Sequence, residues 1–187
     1  MILAKITENW CRFTTCTKSL IILCILLAWT TFTSHVTNYI STYYCLNISK
    51  SLPGTIYRYT DNAIKLKKGD IVLVCPLTEQ LNIMTKYLPK STNCGNGLIP
   101  LMKVVGAVPN DTVIADGKLE LQVNGRILRN TKPTQKIEYE SIPRFKYKGK
   151  VPKNWYLVYT NSVDGFDSRY FGFVRKESIL RKVERLF

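Results

Sequence analysis

A lysine in an apolar run and a serine beside a turn are the residues of this chain whose types could do chemistry together. Lys103 lies in the run LIPLMKVVG at positions 98–106, which holds no other charge. In a strand, Lys103 points to the same face as Leu101 and Val105. An amine buried among aliphatic side chains has a lowered pKa and can act as a base. The alternative is an edge strand whose lysine faces water and discourages further pairing.

The candidate nucleophile is Ser51, in the segment NISKSLPG at positions 47–54. Serines beside a Pro-Gly pair usually only form a turn. Together with Lys103, however, Ser51 forms a Ser-Lys dyad, a variant of serine catalysis that needs no histidine. Ser51 would attack a scissile carbonyl while neutral Lys103 accepts its proton and later returns it to the leaving amine. The backbone N–H of Ser51 and the hydroxyl of Ser49 would form the oxyanion hole.

The histidine content excludes several other enzyme classes. His35 is the one histidine of the chain, and it lies at the end of an apolar N-terminal segment. A Ser-His-Asp or Cys-His site would have to be built around it. The zinc spacings CxxC and HExxH are absent as well. We therefore expect neither a metal site nor a cofactor.

The charge of the chain points to a surface partner rather than to nucleic acid. The chain has 187 residues and a formal net charge of +14, which suits one domain with an appendage. Its basic residues are scattered from Arg58 to Arg185 and form no recognition helix. We expect no nucleic-acid binding. A domain held beside an anionic lipid surface explains the charge, and a merely solvated basic surface is the simpler alternative.

The N-terminal segment predicts a membrane anchor. The run Leu20–Phe32 reads LIILCILLAWTTF, and three basic residues precede it. Residues 19–36 form a stretch of about 18 residues, near the lower limit for a transmembrane helix. A signal peptide has the same layout, but no A-x-A cleavage site follows. We expect an uncleaved single-pass anchor in the cytoplasmic (inner) membrane, with residues 1–18 in the cytoplasm and 37–187 exported to the periplasmic side.

The exported part is predicted to be mainly β. Short β-type runs are separated by turn residues, and a helical turn or two is a candidate only between Leu77 and Leu88. Asn124-Gly125 suits a two-residue hairpin turn. Gly69-Asp70 and Pro109-Asn110-Asp111 are further turn signals. The clearest predicted strands are Asp70–Val74, Leu101–Val108, Leu119–Val123 and Trp155–Tyr159.

The cysteines of the exported part suggest one disulfide. An oxidising compartment permits a bridge, and Cys75 with Cys94 would staple the irregular segment between two strands. Cys45, beside the membrane exit, is expected to stay unpaired. The remaining cysteines fall in or before the anchor.

Five short motifs in order resemble the signal peptidase I clan, and within it the TraF-type peptidases of conjugative transfer. Each motif alone is weak, but together they cover nearly all of the chain after the anchor. The Cys75-Pro76 and Cys94 positions and the absence of a large insertion favour the TraF-type branch. The motifs are NISKSLPG at 47–54 with Tyr57, Gly69–Val72, Met102-Lys103 through Pro109-Asn110-Asp111, Val123-Asn124-Gly125, and Phe166–Gly172 (FDSRYFG).

The resemblance implies a signal-peptidase-like antiparallel β domain and a Ser51–Lys103 dyad. It also implies structural roles for Pro53, Gly54, Asp167, Ser168, Arg169 and Gly172. The substrate would be a membrane-associated protein, either a pilin precursor or a preprotein. TraF-type enzymes mature the subunit of the conjugative pilus, and the substrate's own amino terminus can resolve the acyl-enzyme to give a cyclic pilin. Hydrolysis and cyclisation use the same dyad.

Three positions depart from the family pattern. Asn110 replaces the glycine of a P-G-D turn, and asparagine tolerates left-handed backbone. Val104 follows the lysine where leader peptidases carry arginine. Gly165 stands where a serine commonly hydrogen-bonds the base, so we expect another hydroxyl or a water molecule, not identified from the sequence, to orient Lys103. The alternatives to a pilin maturase are a general signal peptidase and a non-catalytic pilus or envelope assembly protein with the same fold.

Overall fold

A computed structural model describes residues 2–47, 52–60, 65–75, 90–91, 94–95, 97–134 and 142–187, with residues 2–16 described as backbone only. The chain forms two compact units, Met1–Tyr43 and Tyr44–Phe187. The first is one helix and the second carries every described strand.

The first unit is helix α1, Ile2–Tyr43. Its stretch Thr17–Tyr43 has 27 residues with a hydropathy of 1.8, so by length and composition it could cross a membrane. At about 1.5 Å per residue this stretch is about 40 Å long, against about 30 Å for a hydrocarbon core. Its large apolar side chains are exposed, Leu20 by 61% and Trp29 by 65%.

Helix α1 continues through residues 37–43, which the sequence assigned to the exported part. The hydroxyls of Thr37 and Thr42 donate to carbonyls one turn earlier in the helix. The rings of Tyr39 and Tyr43 pair along the same helix, with centroids 4.7 Å apart. These local contacts give the polar side chains of residues 37–43 partners within the helix itself. The β-rich unit therefore begins at Tyr44.

The second unit consists of two antiparallel sheets, as the sequence predicted for the fold class. The larger has seven strands in the order β1-β2-β11-β3-β4-β9-β10, and the smaller has four in the order β7-β6-β5-β8. A short helix, α2, spans Ser168–Phe171, and a 3-10 turn spans Lys176–Ser178. The strands are β1 Tyr44–Leu46, β2 Ile56–Thr60, β3 Ile71–Val74, β4 Leu101–Ala107, β5 Thr112–Ala115, β6 Gln122–Val123, β7 Arg126–Ile127, β8 Tyr147–Lys150, β9 Trp155–Tyr159, β10 Val174–Arg175 and β11 Ile179–Arg185.

Three of the four predicted strands are confirmed to within one residue, as β3, β4 and β9. The fourth, Leu119–Val123, is shorter and comprises only Gln122–Val123. The backbone N–H of Leu119 donates to a carboxylate oxygen of Asp116, and that of Leu121 donates to the Thr131 hydroxyl. These side chains accept the backbone N–H groups that would otherwise form hydrogen bonds with a neighbouring strand. The segment Leu77–Leu88 lies outside the described residues.

The predicted turns depend on left-handed backbone at asparagine and glycine. Asn124 and Gly125 have φ of 49° and 77° and connect β6 to β7, as a two-residue hairpin turn requires. Asn110 has φ of 73°, and the N–H of Asp111 closes the turn onto the Val108 carbonyl at 3.0 Å. The turn that positions the end of β4 therefore forms without the family's glycine.

Strand β4 lies inside the larger sheet, between β3 and β9. Val105 belongs to the apolar cluster under this part of the sheet, together with Val72 and Val158. Leu101 packs on a second cluster around Phe166. The edge-strand alternative for Lys103 is therefore wrong, because both sides of its strand are paired.

Candidate active site

The amine of Lys103 is buried in the middle of the larger sheet. Lys103 pairs with Val72 of β3 and is only 3% exposed. Burial lowers its pKa from 10.5 to about 8, while the charge of Asp167 raises the pKa and that of Arg169 lowers it. Within the described part of the chain its amine has no hydrogen-bond or ion-pair partner. With a pKa of about 8, about a tenth of the amines are neutral at pH 7.

Asp167 and Arg169 form a fully buried ion pair near this lysine. The distance from Arg169 Nη2 to Asp167 Oδ2 is 2.7 Å, and that from Nε to Oδ1 is 2.8 Å. Asp167 also caps α2, because its Oδ1 accepts the N–H of Arg169 at 3.0 Å. A two-pronged pair of this kind fixes the carboxylate in both position and orientation.

The guanidinium of Arg169 also joins two loops. Nη1 donates to the carbonyls of Asn130 at 3.1 Å and Val163 at 3.2 Å. Nη2 donates to the carbonyl of Ser162 at 2.8 Å. Removing this side chain would leave these partly buried carbonyls without the donor that Arg169 supplies. Arg169 therefore has a structural role that spans the loop after β7 and the loop after β9.

Ser168 and Gly172 dock and close α2. The hydroxyl of Ser168 accepts the backbone N–H of Val158 at 2.9 Å, which ties α2 to β9. Gly172 has φ of 74° and a Cβ there would lie 2.8 Å from the Phe145 ring. A side chain at position 172 would thus meet both backbone strain and a packed aromatic ring.

The predicted nucleophile Ser51 and the predicted oxyanion-hole residue Ser49 lie outside the described residues. The residues on either side of them are well fixed. The buried side chain of Asn47 donates from Nδ2 to the carbonyls of Leu52 at 2.9 Å and Gly54 at 3.2 Å. Asn47 thereby ties together the two ends of segment 48–51.

The Pro-Gly turn after Ser51 is held by β2 and β11. The Tyr57 hydroxyl donates to the Pro53 carbonyl, and Tyr57 is fully buried. Gly54 has φ of 93°, and a Cβ there would overlap the Phe187 carbonyl and lie 2.6 Å from Arg185 Cδ. Only glycine fits this position, which lies three residues after the predicted nucleophile Ser51.

A disulfide joins Cys75 to Cys94, the pair that the sequence suggested, with a Cα–Cα distance of 5.7 Å. Cys75 directly follows β3, and its N–H donates to the Ser178 carbonyl at 2.8 Å. Among the described cysteines, Cys24 and Cys45 are free thiols. The bond closes the connection between the two strands β3 and β4.

Thr160 is a site residue that the sequence did not reveal. Its backbone N–H donates to Asp167 Oδ2 at 2.9 Å, and its hydroxyl donates to the same oxygen at 3.3 Å. Val104 pairs with Tyr159, the last residue of β9, so the same register continued by one residue brings Thr160 opposite Lys103. The available signal was a single threonine directly after the apolar run WYLVY.

Sequence comparison finds the signal peptidase family, peptidase S26, whose profile matches residues 12–187. The chain is 26% identical over 148 residues to a conjugal transfer protein TraF of Agrobacterium tumefaciens (strain 15955). It is 28% identical over 149 residues to the protein of the same name from Agrobacterium fabrum (strain C58). Each match covers 77% of this chain and 82% of the relative.

A crystal structure of a signal peptidase I from Enterococcus faecalis V583 is also similar. It has 20% sequence identity and a TM-score of 0.36, over 64% of this chain and 97% of that one. The profile match includes the segment around Ser51, the strand of Lys103 and the buried pair of Asp167 and Arg169. This chain belongs to the signal peptidase family of serine peptidases, peptidase S26.

Proposed function

We propose that the protein is a serine endopeptidase in which Ser51 is the nucleophile and Lys103 the general base. The observation that supports this most strongly is the state of the Lys103 amine, which is buried in an internal strand with a pKa of about 8. A buried lysine without an ion-pair partner costs stability. Its value lies in chemistry, because a neutral amine near physiological pH can accept a proton.

The proposed reaction has two halves. The Ser51 Oγ attacks the scissile carbonyl while Lys103 Nζ takes the hydroxyl proton, and the Ser51 N–H and Ser49 hydroxyl stabilise the oxyanion. The Lys103 ammonium returns the proton to the leaving amine, and an ester on Ser51 remains. A water molecule or an amine then attacks this ester, with Lys103 accepting a proton again. Water gives hydrolysis, and the substrate's own amino terminus gives a cyclic product.

The proposed substrate is an exported membrane protein, and a conjugative pilin precursor is the first candidate. The names of the two TraF relatives support this choice. Removal of leader peptides from preproteins is the second candidate, which the family as a whole supports. The product distinguishes two fates of the same ester. A cyclic pilin is lighter than the hydrolysed one by one water and has no free amino terminus.

We further propose that α1 anchors the protein in the inner membrane, with the β-rich unit on the periplasmic side against anionic lipid. The disulfide supports an oxidising compartment. Ser51 is eight residues beyond Tyr43, so the chain cannot carry it farther than about 30 Å from the end of α1.

Two alanine variants test the dyad. Ser51→Ala and Lys103→Ala should each reduce cleavage of pilin precursor or preprotein to background, and the double variant should be no worse than either. Lys148→Ala is the matched control, because this lysine of β8 is exposed. Near-normal turnover of Lys103→Ala would rule out the dyad. Mass analysis of the wild-type product separates hydrolysis from cyclisation.

A truncation tests the membrane proposal. Removing residues 1–36 should lower cleavage of a membrane-embedded substrate far more than cleavage of a soluble peptide with the same sequence. Vesicles with and without anionic lipid would show whether surface charge adds to this effect. Equal losses on the two substrates would mean that α1 supports folding rather than positioning.

A further inference from the structure

The group that orients the base lysine is not evident from the sequence, and the packing around Lys103 indicates one. Strand β3 offers Val72 as its direct neighbour. On the other side β4 pairs with β9 as far as Val104 and Tyr159, and continuing this register by one residue brings Thr160 opposite Lys103. Side chains directly opposite each other on antiparallel strands share a face, with Cβ atoms about 5 Å apart. Thr160 is fully buried. Of these two neighbours, only Thr160 can form hydrogen bonds.

The hydroxyl of Thr160 has a defined direction. It donates its proton to Asp167 Oδ2, beside the N–H of the same residue. The lone pairs of a hydroxyl whose proton is committed in this way are available for an N–H donor. Asp167 is in turn fixed by Arg169. Thr160 therefore stands between the base and a fully buried carboxylate.

In the loop after β9, the Thr160 hydroxyl occupies the space that a side chain at position 165 would need. A Cβ at Gly165 would overlap Thr160 Oγ1 and the Arg169 guanidinium. The φ of Gly165 is not in the left-handed region, so the constraint is space rather than backbone conformation. Position 165 cannot carry a side chain while Thr160 and Arg169 occupy their places.

We propose that Thr160 is the positioning residue of Lys103, which accepts a hydrogen bond from the lysine ammonium once that group has taken the Ser51 proton. The hydroxyl keeps its own proton on Asp167 throughout, so no proton is transferred through it. This bond holds the ammonium in place for the step in which it returns the proton to the leaving amine. The inference rests on the proposed function, in which Lys103 is the base.

Among the described residues, Asp167 and Arg169 are the groups whose charges shift the pKa of Lys103. The titration of Lys103 can therefore report on Thr160. Val72 on the β3 side and Thr160 on the β9 side do not titrate. A change at Thr160 that leaves Asp167 and Arg169 in place should therefore appear in the Lys103 pKa alone.

The test compares Thr160→Val, which keeps the shape and removes the hydroxyl, with Thr160→Ser, which keeps the hydroxyl. The Lys103 pKa is measured by NMR of 13C-labelled lysine, with the signal assigned by its loss in Lys103→Ala. Losing a hydrogen bond to the charged form should lower the pKa by about one unit in Thr160→Val. The kcat should fall about tenfold with little change in KM. Thr160→Ser should match the wild type in both.

The proposal is overturned if Thr160→Val keeps the wild-type pKa and kcat and loses only thermal stability. If Thr160→Val does not fold, Thr160→Ala is measured in the same way, with the same two outcomes. The NMR titration needs no substrate. Absence of Ser51-dependent cleavage in the wild type would therefore refute the proposed function, while an unchanged Lys103 pKa would refute this inference.

Discussion

Two buried basic side chains, Arg169 and Lys103, lie close together in this protein, and they differ in their hydrogen-bond and ion-pair partners. Arg169 is 1% exposed and Lys103 is 3% exposed. The guanidinium of Arg169 is paired with Asp167 and also donates to the carbonyls of two loops. The amine of Lys103 has no such partner in the described part of the chain.

The difference follows from the chemistry of the two side chains. A guanidinium cannot lose its proton in a protein, so its burial is stable only with matched acceptors. An ammonium can become neutral instead, and burial lowers the Lys103 pKa to about 8. The paired arginine therefore holds two loops together. Lys103, with no ion-pair partner among the described residues, can become neutral, as the proposed base must.

The largest expected effect is the loss of stability when the buried Arg169–Asp167 ion pair is broken. Arg169→Met leaves the Asp167 carboxylate buried and unpaired, which should lower the free energy of unfolding by about 3–5 kcal/mol. Chemical denaturation of the folded protein measures this. The matched control is Arg58→Met, because Arg58 pairs with Glu184 at 3.2 Å with both side chains 53% exposed. The control should lose no more than about 1 kcal/mol. Equal losses in the two variants would remove the structural role assigned to Arg169.

Removing the disulfide should lower the stability of the protein without changing the pKa of Lys103. Cys75 and Cys94 close the connection between β3 and β4 across 19 positions. Replacing both by alanine should cost about 3 kcal/mol, because the unfolded chain gains freedom. The Lys103 pKa should stay in place, since the strands that bury it remain paired. A large shift of that pKa would mean that the bond shapes the site itself.

The smallest of the three stability effects has the opposite sign. The folded pKa of Lys103, about 8, lies below its ordinary value of 10.5. The unfolded chain therefore binds more protons between these values, and stability rises as pH rises from 8 to 10.5. Lys103→Met should remove this slope and stabilise the protein at pH 7 by about 1–3 kcal/mol. Lys103→Arg keeps the charge and should destabilise it. Loss of stability in Lys103→Met would show that the amine is structural.

The sequence predicted the features whose signals are local. Trp155–Tyr159 reads as a buried strand, and Asn124-Gly125 reads as a hairpin turn, because neighbouring residues decide both. Strand β11 was missed, since ILRKVER at 179–185 carries charges on its exposed positions and its pairing with β2 and β3 is long-range. The length of β6 was overestimated because Asp116 and Thr131 capture the backbone donors before it.

For the site, the sequence identified residue types but not the contacts between distant segments. Lys103 stood out because no other charge shares its run. The Asn47 side chain donates to carbonyls five and seven positions later in the chain. The place of Thr160 depends on the pairing of β4 with β9. Neither contact leaves a periodic pattern that sequence reading could detect.

The pH dependence of cleavage tests the central proposal, that Lys103 is a base because it is buried with no ion-pair partner among the described residues. We expect kcat/KM for a soluble peptide substrate to rise with pH along one limb, because only the neutral amine accepts the Ser51 proton. The midpoint should lie near pH 8, the pKa of buried Lys103, and Thr160→Ser should keep it there. A single limb near pH 10.4, the value of an ordinary lysine, would contradict the account.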